Sequence, residues 1–281
     1  METDKKYRYP AALTIAGSDS CGGAGIQADL KTFSAFGVYG MSAITSITAQ
    51  NTLGVRGIQA VLPEILKGQI DAVFEDFTID AVKTGMLHNI DAIKVTVESI
   101  DKYQPQWVVV DPVMISTSGS KLLQDDAIES MIDLLFPRSS IITPNIPEAE
   151  FLSGLKITST DDMSIAAERL FEKGCRAVLI KGGHLNGERM TDQLFMKDQS
   201  PISFQSETIQ TNNTHGTGCT LSSAIAASLA LGESLPNAVR KAKEYIQNAL
   251  MAGADVMAGH GHGPVNHLYN PTPMHKKGLE V

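Results

Sequence analysis

W-V-V-V-D-P, residues 107 to 112, is a continuous apolar run stopped by an acid and a proline. A strand with one wet face alternates apolar and polar residues, so a run without alternation fits a strand covered on both faces, as in parallel sheets. The pattern recurs in both directions from it. Ser140 to Thr143 stops at Pro144-Asn145, and Ala177 to Ile180 stops at Lys181-Gly182-Gly183, with helical spacing between them over Asp125 to Leu135 and Met163 to Glu172. Towards the N-terminus, Ala11 to Ala16 and Ile79 to Lys83 read as strands and Met41 to Thr48 as a β-rich segment. Ile26 to Phe36, Pro63 to Phe74 and Ile90 to Ser99 read as helices. This alternation predicts a mostly parallel sheet with helices on both faces. Asp192 to Met196 and Ile202 to Ile209 break the rhythm and predict an antiparallel hairpin across Lys197 to Pro201. Helices over Gly218 to Leu231 and Leu235 to Ala252 follow, then a short glycine-rich loop at Gly259 to Pro264.

The chain has 281 residues, 43% hydrophobic and 19% charged, with no linker or repeat, which predicts one domain over residues 1 to 281. A net charge of -8 argues against nucleic acid or an anionic membrane as partner. Cys21, Cys175 and Cys219 have spacings of neither a disulfide framework nor a zinc knuckle, which suits a reducing compartment. Met1 to Tyr9 is polar, and no apolar run approaches the roughly 20 residues that span a bilayer, so a cytosolic location is expected.

Ligands of open parallel sheets bind beyond the carboxyl ends of the strands. There this chain places Gly17-Ser18-Asp19, Lys83-Thr84-Gly85-Met86, Asp111-Pro112-Val113-Met114, Thr143-Pro144-Asn145 with Glu148, and Lys181-Gly182-Gly183-His184. Asp111 and Glu148 offer the oxygen ligands that magnesium prefers, although Asp111 can equally cap a turn and Glu148 support the start of a helix after Pro147. Lys181, ahead of two glycines, suits phosphate oxygens.

T-H-G-T-G-C-T at 214 to 220 precedes an alanine-rich helix. Its glycines allow close backbone approach, and the helix start offers unpaired N–H groups and the positive end of a dipole, an anion site best matched by phosphate. No Walker A loop or dinucleotide G-x-G-x-x-G is present. Cys219, at a helix N-terminus where a thiolate is favoured, reads as a nucleophile or base, or as a small buried residue. The spacing of His260, His262 and His267 suggests a metal only weakly, since no cysteine or carboxylate accompanies it.

These segments resemble the hydroxymethylpyrimidine and phosphomethylpyrimidine kinases of thiamin biosynthesis, within the ribokinase-like superfamily. The resemblance covers nearly the whole chain. It rests on L-T-I-A-G-S-D-S-C-G-G-A-G-I-Q-A-D-L-K-T-F at 13 to 33, T-A-Q-N-T-L-G-V at 48 to 55, V-K-T-G-M-L at 82 to 87, D-P-V-M at 111 to 114, I-T-P-N-I-P-E-A at 142 to 149, K-G-G-H at 181 to 184, the 214 to 220 segment, and G-H-G-P-V-N-H at 261 to 267.

The resemblance implies a three-layer α/β/α ribokinase-like fold and ATP-dependent phosphorylation of 4-amino-5-hydroxymethyl-2-methylpyrimidine and then of its monophosphate. It implies that Gln50 hydrogen-bonds the pyrimidine, with Asp29, Gly17, Thr48, Met86 and Val113 completing the pocket. Asp111, Asn145, Glu148, Lys181 and Thr214 would face ATP and Mg2+, and Gly216, Thr217, Gly218 and Cys219 would form the anion hole. It also implies a homodimer. Sugar kinases of the superfamily carry an aspartate where this chain has Cys219, so the thiol is expected to orient or deprotonate the acceptor hydroxyl while the amides of Thr217, Gly218 and Cys219 receive the developing charge.

A pyridoxal or pyridoxine kinase is the nearest alternative. Gln50 discriminates, because an amide both donates to and accepts from an aminopyrimidine edge, whereas the resembling pyridoxal kinases tend to carry an apolar residue there. A cysteine hydrolase built on Cys219 and His215 would leave Asp111, Asn145, Glu148 and Lys181 without a task. A non-catalytic sensor would not need Gly216, Gly218, Asp111 and Glu148.

Overall fold

The computed structural model describes residues 5–114, 122–183 and 189–279. In chain order the elements are β1 (Tyr7–Arg8), β2 (Ala11–Ser18), α1 (Gly25–Ala35), β3 (Tyr39–Asn51), β4 (Gly54–Ala60), α2 (Pro63–Asp76), β5 (Ala81–Thr84), α3 (Ile90–Tyr103), β6 (Val108–Val110), α4 (Asp125–Ser130), β7 (Ile141–Ile142), α5 (Ile146–Ser153), α6 (Thr160–Glu172), β8 (Ala177–Ile180), β9 (Arg189–Met196), β10 (Ile202–Glu207), α7 (Thr217–Ala230), α8 (Leu235–Gly253) and β11 (Lys277–Gly278).

Nine strands form one sheet in the order β10-β9-β8-β7-β6-β5-β2-β3-β4. From β8 to β3 the neighbours are parallel, and antiparallel β9-β10 and β4 close the two edges. Strand order reverses between β2 and β5, which puts the crevice favoured for ligands beyond their carboxyl ends, at Ser18 and Thr84.

The valine run behaves as its composition predicts. Val108 and Val110 enter the core on one face with Ile93, Leu135 and Met163, while Val109 enters the core on the other with Leu221, Ile225 and Ala242. Strand β6 is thus sealed on both sides. Helix α7 is buried from Thr220 to Ala230, which is why its sequence is apolar all round.

Two segments differ from the sequence reading. Gly54–Ala60 pairs antiparallel with β3 although its two glycines and exposed Arg56 and Gln59 give no alternating pattern. The helix expected over Asp125 to Leu135 is α-helical only to Ser130. It widens to a π-helix over Met131–Leu135 just ahead of Pro137, whose nitrogen has no proton to continue the ladder.

Candidate active site

The first turn of α7 stands at the centre of the site. Gly216 caps it with φ of 80°, and a side chain there would collide with the carbonyl oxygen of Gly23, so only glycine fits. Thr217 N–H turns back to Thr214 O at 3.3 Å. The amides of this turn that remain to meet an anion are therefore those of Gly218 and Cys219, at the positive end of a 14-residue helix.

A side-chain atom on Gly218 would lie 3.4 Å from Lys181 Nζ and 3.6 Å from Asp111 Oδ2. The bare backbone thus faces an ammonium and a carboxylate from the ends of β8 and β6. Asp111 is buried, accepting from Thr143 Oγ1 at 3.1 Å and Ser222 Oγ at 3.3 Å, with Lys181 Nζ 3.4 Å from Oδ1. Burial alone would pull the Lys181 ammonium down, but Asp111 and Glu148 outweigh it and hold it above its ordinary value.

Asn145 and Glu148 form a capping box at the start of α5. Asn145 Oδ1 accepts from Glu148 N at 2.9 Å, and Glu148 Oε2 accepts from Asn145 N at 2.8 Å. The helix-supporting role considered for Glu148 is real, and the carboxyl still lies within the field of Asp111. Burial, with that neighbouring negative charge, pushes Glu148 up to about 7 against the opposing pull of Lys181. Two crowded carboxylates and oxygen-only donors fit a hard divalent cation such as Mg2+, which would relieve their repulsion.

Asp29 is placed differently from the expectation. It is fully buried beneath the site, with both oxygens 2.9 Å from Lys83 Nζ and accepting from Thr14 Oγ1 and Ser223 Oγ at 2.6 Å each. Such a saturated carboxylate reaches a ligand only through Lys83. Burial alone would lower the Lys83 ammonium, yet Asp29, Cys219 and Asp111 hold it well above its usual range.

Cys219 narrows the expected chemistry to one of its alternatives. Burial pushes its thiol up to about 11, with Asp29 and Asp111 adding to the rise and Lys83 and the Gly25 amide opposing it. The protein's own groups keep sulfur protonated at neutral pH, so the helix end does not create a thiolate. His215 Nε2 is turned to Asp19 and Cys21, which leaves the hydrolase reading without a base on Cys219.

The remaining predicted residues gather beside the β2 end. Gly17 N donates to Met86 O at 3.1 Å, and a side chain on Gly17 would collide with the Met86 methyl. Thr48 Oγ1 donates to Ser18 O at 2.8 Å and lies 3.2 Å from the Gln50 amide, which is 3.5 Å from His215 Nε2. Val113 is half-buried and tied to Asp111 through its backbone N–H at 2.8 Å. Gln50 and Cys219 are thus linked through His215 and the cap at Gly216.

Sequence reading has Lys83 and Asp19 at strand ends without their partners, and does not place Cys21 in this region. Asp19 Oδ2 lies 2.8 Å from His215 Nε2 and accepts from the Gly23 and Ala24 amides at 3.0 and 2.8 Å. Burial alone would raise this carboxyl, but His215, Cys21 and those amides hold it down to about 2. Asp19 had been noted only as a strand-end residue, and nothing in spacing ties it to a histidine in another part of the chain. His267 is buried, with Nε2 3.0 Å from Thr220 Oγ1, so it serves packing around α7. The Ser116 to Lys121 stretch, read as a possible flap, and His184 lie outside the described residues.

A family model described as phosphomethylpyrimidine kinase matches residues 19–266. The hydroxymethylpyrimidine/phosphomethylpyrimidine kinase of Bacillus subtilis (strain 168) is 49% identical over 92% of this chain and 94% of its own. Among solved structures, phosphomethylpyrimidine kinase from Clostridium difficile 630 is 51% identical with a TM-score of 0.76, covering 85% of this chain and 99% of that one. Pyridoxal kinase from Staphylococcus aureus, solved in complex with AMP-PCP and pyridoxal, is 34% identical with a TM-score of 0.85, covering 97% of this chain and all of that one.

Proposed function

The chain belongs to the phosphomethylpyrimidine kinase family, and from that premise we propose how its site works. The protein is a kinase that phosphorylates 4-amino-5-hydroxymethyl-2-methylpyrimidine and then its monophosphate, with ATP as donor. The observation that carries this reading is the convergence on Gly218 of a helix-end anion site, Lys181 and Asp111.

Lys181 and the amides of Gly218 and Cys219 bind the transferring phosphoryl group and take up charge as it develops. Asp111 and Glu148 would hold magnesium, directly or through water, and a bound ion would supply charge neutralisation on the donor phosphates. Asn145 and Thr214 border the nucleotide. Gln50 meets the aminopyrimidine edge with its paired donor and acceptor, while Gly17, Thr48, Met86 and Val113 shape the pocket.

Cys219 keeps its proton and orients the acceptor hydroxyl, since phosphoryl transfer asks more of positioning than of a strong base. Only the first acceptor is an alcohol. The monophosphate is already an anionic nucleophile and needs no deprotonation, so the two steps depend differently on sulfur.

The exposed Ile47, Leu53, Leu62 and Ile65 around β3, β4 and α2 support a homodimer. No helix among the described residues is long and apolar enough to cross a membrane, and a cytoplasmic location agrees with small soluble substrates. Incubation with ATP and Mg2+ plus hydroxymethylpyrimidine, pyridoxine or no acceptor, followed by product mass, tests the assignment. Mono- and diphosphorylated pyrimidine are expected. Absence of any ATP-dependent pyrimidine product would overturn it.

A further inference from the structure

Asp19, Cys21 and His215 bring a carboxylate oxygen, a thiol sulfur and an imidazole nitrogen together beside Gln50, the one such group of three or more among the described residues. Cys21 Sγ lies 3.4 Å from Asp19 Oδ2 and 3.6 Å from His215 Nε2, and Oδ2 lies 2.8 Å from Nε2. Zinc bonds of about 2.3 Å to sulfur and about 2.0 to 2.1 Å to nitrogen or oxygen, set at tetrahedral angles, give ligand-to-ligand edges of about 3.5 Å from sulfur and about 3.3 Å between oxygen and nitrogen. The two sulfur edges already match. The oxygen–nitrogen edge needs to open by about half an ångström, the ordinary consequence of replacing a hydrogen bond by a cation.

We propose that Asp19, Cys21 and His215 form a binding site for a borderline-soft divalent cation of the zinc class. The donor set selects it: sulfur and imidazole favour zinc, whereas the oxygen-only pair Asp111 and Glu148 favours magnesium. The carboxylate is held in place before any ion arrives, because the Gly23 and Ala24 amides fix Oδ2 and the Cys21 amide fixes Oδ1 at 3.0 Å. Second-sphere bonds of this kind orient metal ligands. Cys21 is exposed, which provides the entry path, and Gln50, 3.5 Å from His215 Nε2, borders the fourth position. On binding, the thiol proton leaves to solvent and the imidazole carries its proton on Nδ1, giving three protein ligands and one open position.

The test uses the full chain, reduced and metal-free, without ATP, as wild type, Cys21→Ser and Cys219→Ser. Co2+ titration reads thiolate-to-cobalt charge-transfer absorption, and equilibrium dialysis reads Zn2+ affinity. The expected result is one Zn2+ per chain in wild type, a charge-transfer band in wild type and Cys219→Ser, and no band in Cys21→Ser. Zn2+ affinity should fall at least about 10-fold in Cys21→Ser, the lower end of what disturbed metal shells show. Equal Zn2+ affinity in wild type and Cys21→Ser, a band that persists in Cys21→Ser, or a band lost in Cys219→Ser would each overturn the assignment.

Discussion

Lys83 and Lys181 stand at the carboxyl-end side of the same sheet, and both lie within the field of Cys219 and Asp111, yet they are built for opposite tasks. Lys83 is wholly buried, with Nζ 2.9 Å from each oxygen of Asp29, whose other partners are Thr14 and Ser223. Lys181 is 17% exposed and holds Asp111 only at 3.4 Å, beside the bare backbone of Gly218. A saturated ion pair fixes architecture, whereas a loosely held ammonium next to helix-end amides suits the phosphate proposed there. The same comparison separates Asp29 from Asp111: one carboxylate is enclosed by donors, the other shares a cluster that a divalent cation would complete.

The comparison is broken most severely at Lys83. Lys83→Met leaves Asp29 charged and buried without its partner, and a loss of about 3–5 kcal/mol is expected in urea unfolding. A near-neutral result would remove Lys83 from the structural side. Next in size is Lys181→Met, where transfer rate should fall about 100- to 1000-fold with little change in unfolding midpoint, the scale set by removing one charge-stabilising donor.

Cys219→Ala comes third. An orienting thiol predicts a loss below the 10²–10⁴-fold typical of general bases, and a larger loss with the hydroxymethyl acceptor than with the monophosphate. Equal losses with both acceptors, measured by steady-state kinetics, would show that sulfur acts on the phosphoryl group or on folding.

The smallest expected effect is at Glu148. Its carboxyl is raised from 4.5 to about 7 in the folded protein, so the folded state holds a proton that the unfolded chain has lost between those values. That contribution to stability is fully present below about pH 4.5 and is lost as pH rises through about 7. Glu148→Gln should flatten the fall in stability over this window, as followed by thermal melts at a series of pH values. An unchanged slope would show that another group carries it.

Much of the architecture is legible in short runs. Val108 to Val110 announces a doubly covered strand, and the alternating membership of the three valines in two cores bears it out. The small-residue stretch at 214 to 220 likewise announces the tight entry into α7. Pairings across long sequence separations are a different matter, because local periodicity carries no information about them. The Asp29–Lys83 pair hides for this reason, although a lysine inside the apolar strand Ala81–Thr84 was itself a signal that a buried carboxylate must exist. Asp19 and His215 meet only because the β2–α1 loop and the entry to α7 come together where Gly216 touches Gly23. Of the alternatives left open for Cys219, the deprotonated one loses ground because desolvation, with Asp29 and Asp111 nearby, raises the thiol, and burial of this kind is not written in the local sequence. Edge strand β4 escaped because its backbone pairing with β3 requires no apolar pattern.

The difference between the two lysines is tested most directly in Lys181→Met, by measuring γ-phosphoryl transfer from ATP to hydroxymethylpyrimidine and the urea midpoint on the same preparation. A transfer rate reduced at least about 100-fold with the midpoint of wild type is predicted. Wild-type transfer, or a rate lost only in proportion to a lowered midpoint, would contradict the assignment of Lys181 to the phosphate and Lys83 to the fold.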